Sequence, residues 1–324
     1  MQMSPPIEEI KKWLAKENPL NLLKSNFSIA DIDPKEWSGH FDYLVETPEK
    51  KFVLRFKGPE WGETNGVIDE YKTLKKIEQY EVGPKVYFLT KNFFGEPMIF
   101  EEYLEGELLS DFSEGEQKKY FPEVAKFIYK INSISFKIND FPFQEQITSY
   151  IKSKNAWKTR IEFILNCKET KTCGKELLAF LPGIESILNK FEDRLQRVLK
   201  QVGNSFIFES AHLGHCLKTS TGFRFLNWEQ VSYGDPSYTL AVFLTSMHER
   251  PDFEEVKKTM IDSYLQQKFI PEFSELVDQR ITERHISNII YGVYMNVKKE
   301  SKIISNWYES IKRIEEIIKQ SNLF

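Results

Sequence analysis

Phe206 to Leu244 reads FIFESAHLGHCLKTSTGFRFLNWEQVSYGDPSYTLAVFL, the stretch on which the fold of the chain turns. Two histidines, His212 and His215, lie three residues apart, with Glu229 further on, and together they form a candidate transition-metal set. The bland reading of His212 is a structural histidine. Asp235 between Gly234 and Pro236 is a strong turn element, since an Asp side chain bonds its own backbone and Pro fixes the chain direction.

Upstream of this stretch the hydrophobic pattern changes period. Ser4 with Pro5 and Pro6 predicts a helix start, and Ile7, Ile10, Trp13 and Leu14 then share one face. Phe41, Tyr43 and Val45 alternate, Pro48-Glu49-Lys50 reads as a turn, and Phe52, Leu54 and Phe56 resume the alternation of a hairpin. Val67 to Tyr80 predicts a helix that buries Ile68, Tyr71, Leu74 and Ile77 and is stopped by Gly83-Pro84. Strands over Lys85 to Thr90 and Pro97 to Tyr103 complete a small antiparallel sheet with one packed helix.

Beyond Gly106 the period is helical: Glu116 to Ser133, the Gln146 to Lys168 region, Ile184 to Lys200, Phe253 to Gln267, Glu272 to Lys298 and Ile303 to Lys319. Residues 1–104 are therefore expected to form a sheet-rich lobe and residues 105–324 a helical one, hinged near Leu104 to Gly106. The 324 residues carry 44 basic and 48 acidic side chains, a balance that gives no basic surface for nucleic acid. Cys167, Cys173 and Cys216 are too few and too oddly spaced for a disulfide framework or a zinc site, and fit a reducing compartment. No apolar run approaches the roughly 20 residues that cross a bilayer, and no signal-like segment opens the chain, so a soluble, cytoplasmic protein without membrane or nucleic-acid partners is expected.

The ordered motifs resemble the aminoglycoside phosphotransferase and choline kinase family. Its catalytic loop reads roughly His-Gly-Asp-Leu-His-Pro-Gly-Asn-Ile-Leu, followed by Ile-Asp-Trp-Glu and Gly-Asp-Pro-x-Tyr-Asp-Leu-Ala. Here the frame stands as Ala211-His212-Leu213-Gly214-His215-Cys216-Leu217, Leu226-Asn227-Trp228-Glu229 and Gly234-Asp235-Pro236-Ser237-Tyr238-Thr239-Leu240-Ala241. The resemblance runs from Trp37 to Ala241 and on to Tyr264. It implies a two-lobed α+β protein-kinase-like fold, with an antiparallel-sheet N-lobe and a mainly helical C-lobe. It also implies ATP or another nucleotide as ligand, and an acceptor pocket built from the helices between Ile147 and Lys200.

In that alignment the catalytic Asp falls on Ser210, the metal-binding Asn on His215 and the metal-binding Asp on Asn227. A hydroxyl cannot do the work of a carboxylate base, whose loss costs on the order of 10²- to 10⁴-fold in rate. Asn227 keeps the shape of Asp without its charge, and imidazole is a poor magnesium ligand, so magnesium is weakly served. Glu209, Glu229 and His212 are the candidate substitutes for the lost base. Thr239 stands where the family prefers Asp, and Asn132 where it usually has His.

On the nucleotide side the resemblance assigns Arg55 and Glu70 to the cation and its helix-borne carboxylate, which together support phosphates. Ser38 and Gly39 fall in a phosphate-covering turn, and Glu102, Tyr103 and Leu104 in the hinge that binds adenine through its backbone. An ordinary surface ion pair is the plain alternative for Arg55 and Glu70. The whole implies an impaired phosphotransferase that binds a nucleotide or small ligand. The alternative is an active kinase for a hydroxyl of an aminoglycoside, choline-like or sugar acceptor.

Overall fold

The computed structural model describes residues 6–17, 26–32, 40–57, 66–298 and 312–316. Ser4, Pro5, Ser38, Gly39 and most of the Ile303 to Lys319 segment lie outside them. The described elements are helices α1 (Ile7–Glu17), α2 (Gly66–Ile77), α3 (Glu114–Asn132), α4 (Ile151–Asn166), α5 (Lys171–Val202), α6 (Tyr238–Thr245), α7 (Phe253–Leu265) and α8 (Phe273–Lys298). The strands are β1 (Ser28–Asp31), β2 (His40–Glu46), β3 (Lys51–Lys57), β4 (Val86–Phe93), β5 (Glu96–Glu102), β6 (Glu107–Leu108), β7 (Gln146–Ile147), β8 (Ser205–Phe208), β9 (Cys216–Thr219), β10 (Gly222–Phe225) and β11 (Val231–Gly234). Among the described residues no helix is long and apolar enough to cross a membrane.

The chain forms two compact units, Met1–Tyr120 with Ser133–Gln144 and Phe208–Ser232, and Phe121–Asn132 with Glu145–Ile207 and Tyr233–Phe324. This differs from the expected division at residue 104. The sequence division separated sheet from helix. In the structure the β9–β10 hairpin joins the first unit, because Glu107 and Leu108 of β6 pair with Lys218 and Leu217 of β9.

The first unit is built on an antiparallel sheet in the order β1-β2-β3-β5-β4. The expected hairpin is present, with Tyr43 opposite Leu54 and Val45 opposite Phe52. Its turn is held by Thr47, whose Oγ1 donates to the Lys50 carbonyl at 2.9 Å. Alternation sends Tyr43, Val45, Phe52, Leu54, Phe56, Met98 and Phe100 to one face, where Ile10 and Leu14 of α1 complete an apolar core. The other face carries Asp42, Arg55 and Glu101, and α2 packs near it.

Two details of α2 differ from the sequence expectation. Its buried stripe is Val67, Glu70, Thr73, Leu74 and Ile77, so Ile68 and Tyr71 are only half-buried. The helix ends in a single tighter turn, Glu78–Tyr80, stopped by Glu81 in the left-handed region at φ 50°. Gly83 is needed for a different reason. A Cβ there would sit 2.5 Å from Nε1 of the buried Trp228.

The second unit is mainly helical, with α4, α5 and α8 packed on one another and α6 on α8. The Gly234-Asp235-Pro236 motif forms a turn there, as expected. Gly234 has φ 139° and lies so close to the Ile147 carbonyl that a Cβ would be 2.2 Å from the oxygen. Asp235 Oδ1 accepts bonds from the Ser237 amide at 2.8 Å and hydroxyl at 2.6 Å, and Oδ2 accepts from Arg280 at 2.8 and 3.0 Å. The hydroxyl of buried Tyr264 donates to the Pro236 carbonyl at 3.3 Å. The two family departures at Asn132 and Thr239 meet: Asn132 Nδ2 donates to Thr239 Oγ1 at 3.3 Å and to the Phe206 carbonyl at 2.8 Å.

Candidate functional site

Arg55 sits directly across from Asp42 in the β2–β3 register, and their side chains leave the sheet on the same face. Arg55 Nε donates to Asp42 Oδ1 at 2.8 Å and Nη2 to Oδ2 at 3.0 Å, a two-bond fork. Nη1 donates to both Glu70 oxygens, at 2.9 and 3.1 Å. Glu101 on β5 approaches Nε at 3.9 Å. The pair is therefore no surface salt bridge: Arg55 is 11 % exposed and Glu70 0 %. Burial works against the Arg55 cation, but Asp42, Glu70 and Glu101 outweigh it and hold its pKa well above the ordinary value. Glu101 behaves in the opposite way. Burial, with Glu70 and Asp42 adding to it against the pull of Arg55, pushes its carboxyl up to about 8.

Glu70 also fixes the Asn227-Trp228-Glu229 segment, because its Oε1 accepts the Trp228 amide at 2.8 Å. The Trp228 ring is buried against Phe208, with centroids 4.3 Å apart, and its Nε1 donates to the Phe225 carbonyl at 2.7 Å. This anchoring puts Asn227 at φ 66°, a left-handed conformation that Asn tolerates better than most residues. Glu229 reaches back to His40, 3.3 Å from Nε2, and its Oε2 lies beside Gly66 at the start of α2. Burial raises the Glu229 carboxyl, yet His40 and Arg55 prevail and keep it below the usual range, so it is ionised at neutral pH.

The loop between β8 and β9 brings Glu209, Ser210, His212 and His215 together. Glu209 Oε1 accepts a bond from the Ser232 hydroxyl, and its amide donates to the Gln230 carbonyl at 3.1 Å. His215 Nδ1 donates to the Ser210 carbonyl at 2.9 Å, and its ring lies 3.6 Å from that of His212. Burial and the neighbouring His212 push His215 down to about 3, and burial lowers His212, so both are neutral at pH 7.

Asn227 offers a neutral amide where a dication would be held best by a carboxylate. Its Oδ1 is buried with no hydrogen-bond partner, and His215 donates its Nδ1 hydrogen to the Ser210 carbonyl. The expected transition-metal set of His212, His215 and Glu229 is corrected: among the described residues no group of three His, Cys, Asp or Glu side chains could hold a metal ion.

The hinge segment leaves the sheet extended. The Glu102 amide donates to the Lys85 carbonyl at 2.8 Å and the Tyr103 amide to the Lys51 carbonyl at 3.4 Å, while Lys51 Nζ lies 5.7 Å from the Tyr103 ring centroid. Leu104 follows, half-buried. Sequence reasoning missed Asp42 and the contacts of Glu101 and His40, which it placed only in the adenine-binding hinge and the phosphate-covering turn. The signal for the first two was available, since in an alternating hairpin Asp42 and Glu101 have the parity of Arg55 and not that of the apolar core.

Neither a protein-family model nor a curated protein matches the sequence. Solved structures do match. Choline kinase from Cryptosporidium parvum Iowa II superposes with a TM-score of 0.67 at 16% identity, over 98% of this chain and 95% of that one. Plasmodium vivax ethanolamine kinase gives 0.62 at 15% identity, over 99% and 95%. A thermostable mutant of aminoglycoside phosphotransferase APH(4)-Ia, in a ternary complex with AMP-PNP and hygromycin B, gives 0.64 at 11% identity, over 97% and 99%. The chain thus has the α+β, protein-kinase-like fold of the aminoglycoside phosphotransferases and the choline and ethanolamine kinases.

Proposed function

We propose that this protein is a catalytically impaired phosphotransferase relative that binds a nucleotide or another small ligand and acts as a binding or regulatory protein. The observation that carries the reading is an asymmetry within one unit. The Arg55–Glu70 pair is held in place and tied to the Trp228 amide, while Ser210, His215 and Asn227 supply no carboxylate for a base or a dication. Phosphoryl transfer relies on positioning together with metal-neutralised charge. A missing base alone costs on the order of 10²- to 10⁴-fold. Nucleotide complexes among the fold neighbours, with AMP-PNP in one case and ADP in another, support a nucleotide-like ligand.

Calorimetric titration with adenosine, ADP and ATP, each with and without magnesium, tests this. Binding by at least one of the three that is indifferent to magnesium, with no phosphate transfer to a panel of hydroxyl acceptors, is the expected result. Silence from all three would remove the nucleotide part. The second reading, an active kinase for an aminoglycoside, choline-like or sugar hydroxyl, draws on Glu229, whose carboxylate is ionised and 19 % exposed. Magnesium-dependent transfer that disappears in Glu229→Gln would establish it instead.

A further inference from the structure

A guanidinium presents five N–H donors in a planar fork and no acceptor. In Arg55 the Nε hydrogen and one Nη2 hydrogen go to Asp42, and the Nη1 hydrogens go to Glu70. One Nη2 hydrogen remains. The Nε–Nη2 edge taken by Asp42 is one of the two paired edges with which an arginine grips phosphate, since carboxylate and phosphate accept the same two-bond fork, and the other, Nη1–Nη2, has its Nη1 end on Glu70. Asp42 needs no loop movement to reach it, being the cross-strand partner of Arg55 on β2. The occupied edge is therefore a product of strand pairing.

Charge points the same way. Arg55 contributes +1, Asp42 and Glu70 each −1, and Glu101 is mostly protonated at pH 7 with its pKa near 8. The cluster is net negative at the place where a phosphate chain would need a cation. A second anion, Glu229, lies against the start of α2 at Gly66, where the helix dipole would otherwise favour an incoming phosphate.

We propose that Asp42 is a specificity-determining residue: it closes Arg55 to phosphate groups, so that the site takes an uncharged nucleoside in preference to a nucleoside di- or triphosphate. The preference for a nucleoside rests on the nucleotide-binding reading above, whereas the closure of Arg55 stands without it. A nucleoside would lose nothing by the absence of a free cation, and a triphosphate would meet repulsion without a metal to relieve it.

The test titrates wild type and Asp42→Asn with adenosine, ATP and inorganic tripolyphosphate, without magnesium. The amide side chain preserves size while removing the charge and one of the two acceptors on the Arg55 edge. Wild type should bind adenosine at least as tightly as ATP and give no heat with tripolyphosphate. Asp42→Asn should gain about tenfold or more for ATP and tripolyphosphate, the scale of one charge-assisted bond, with adenosine unchanged. A wild type that prefers ATP, or a variant with no gain for tripolyphosphate, overturns the role of Asp42. If adenosine and ATP are silent in both proteins the nucleotide reading falls, and the tripolyphosphate arm still decides whether Asp42 closes Arg55. Should Asp42→Asn fail to fold, Asp42→Ser carries the same comparison. A purely structural Asp42 would shift melting temperature without opening the protein to tripolyphosphate.

Discussion

Glu101 keeps its proton to about pH 8 in the folded chain, against an ordinary value of 4.5. The folded state therefore binds that proton more tightly than the unfolded state does. The stability it contributes is complete below pH 4.5 and is lost as pH rises through 8. Glu101→Gln imitates the protonated form at every pH. It should raise the melting temperature at pH 8 to 9, with the advantage shrinking to nothing near pH 4.5; a variant no more stable than wild type at pH 9 would contradict the shift. His215 tilts the opposite way, since a base held down to about 3 costs stability as pH falls below 6.5. The single variant, measured against wild type at each pH, isolates Glu101. At this scale the sequence was half legible. Motif order marked Arg55 and Glu70, but their burial and their third and fourth partners depend on which strands pair, which one chain read linearly does not state.

Among the elements, α5 shows how packing overrides local signals. The sequence places a helix over Ile184 to Lys200, yet α5 begins at Lys171 and runs through Pro182. Proline removes one backbone bond and disfavours the turn before it. The helix continues because Cys173, Leu177, Leu181, Ile184, Ile187, Leu188, Leu195 and Val198 form one buried stripe along its whole length. Gly174 lies in the half that was missed. In an exposed helix Gly→Ala would stabilise by about 1 kcal/mol. Here a Cβ would meet the Leu165 Cα at 2.5 Å and its amide nitrogen at 2.7 Å, both backbone atoms of α4 that cannot swing aside. Gly174→Ala should therefore destabilise, by roughly 1–3 kcal/mol as overpacking does. Urea unfolding reads the sign, and a stabilised variant would show that α4 and α5 yield easily. The same dominance of packing explains the other misses. β1 is four mostly exposed residues with no alternation to detect, and the stripe of α2 turns to bury Glu70 because Arg55 and the Trp228 amide await it.

In the whole molecule each compact unit contains an arginine, part-buried in the first and fully buried in the second, that gathers carboxylates from separate segments. Arg55 joins β2, β3 and α2 in the first. In the second, Arg280 is 1 % exposed, binds Asp235 and donates to Glu283 at 3.2 Å. Its guanidinium carbon lies 4.1 Å from the Tyr150 ring centroid and 5.1 Å from that of Tyr238. Ser287 extends the network, accepting from Trp157 Nε1 at 2.7 Å and donating to Glu283 at 2.8 Å, which ties α4 to α8. Burying such charges is costly, so the network is poor evidence of extra stability, but removing one member leaves an uncompensated ion. Arg280→Met keeps the length and apolar stem while stranding Asp235 and Glu283. It should cost about 3–5 kcal/mol at neutral pH. Hydrogen exchange locates the loss: faster amides in α4, in α8 and around Asp235 are expected, while those of α2 and β3 keep the protection that Arg55 and Glu70 give them. Uniform loss across both units would mean that Arg280 holds the entire chain together, and a cost below about 1 kcal/mol, the scale of an exposed pair, would mean that the network is solvated and dispensable.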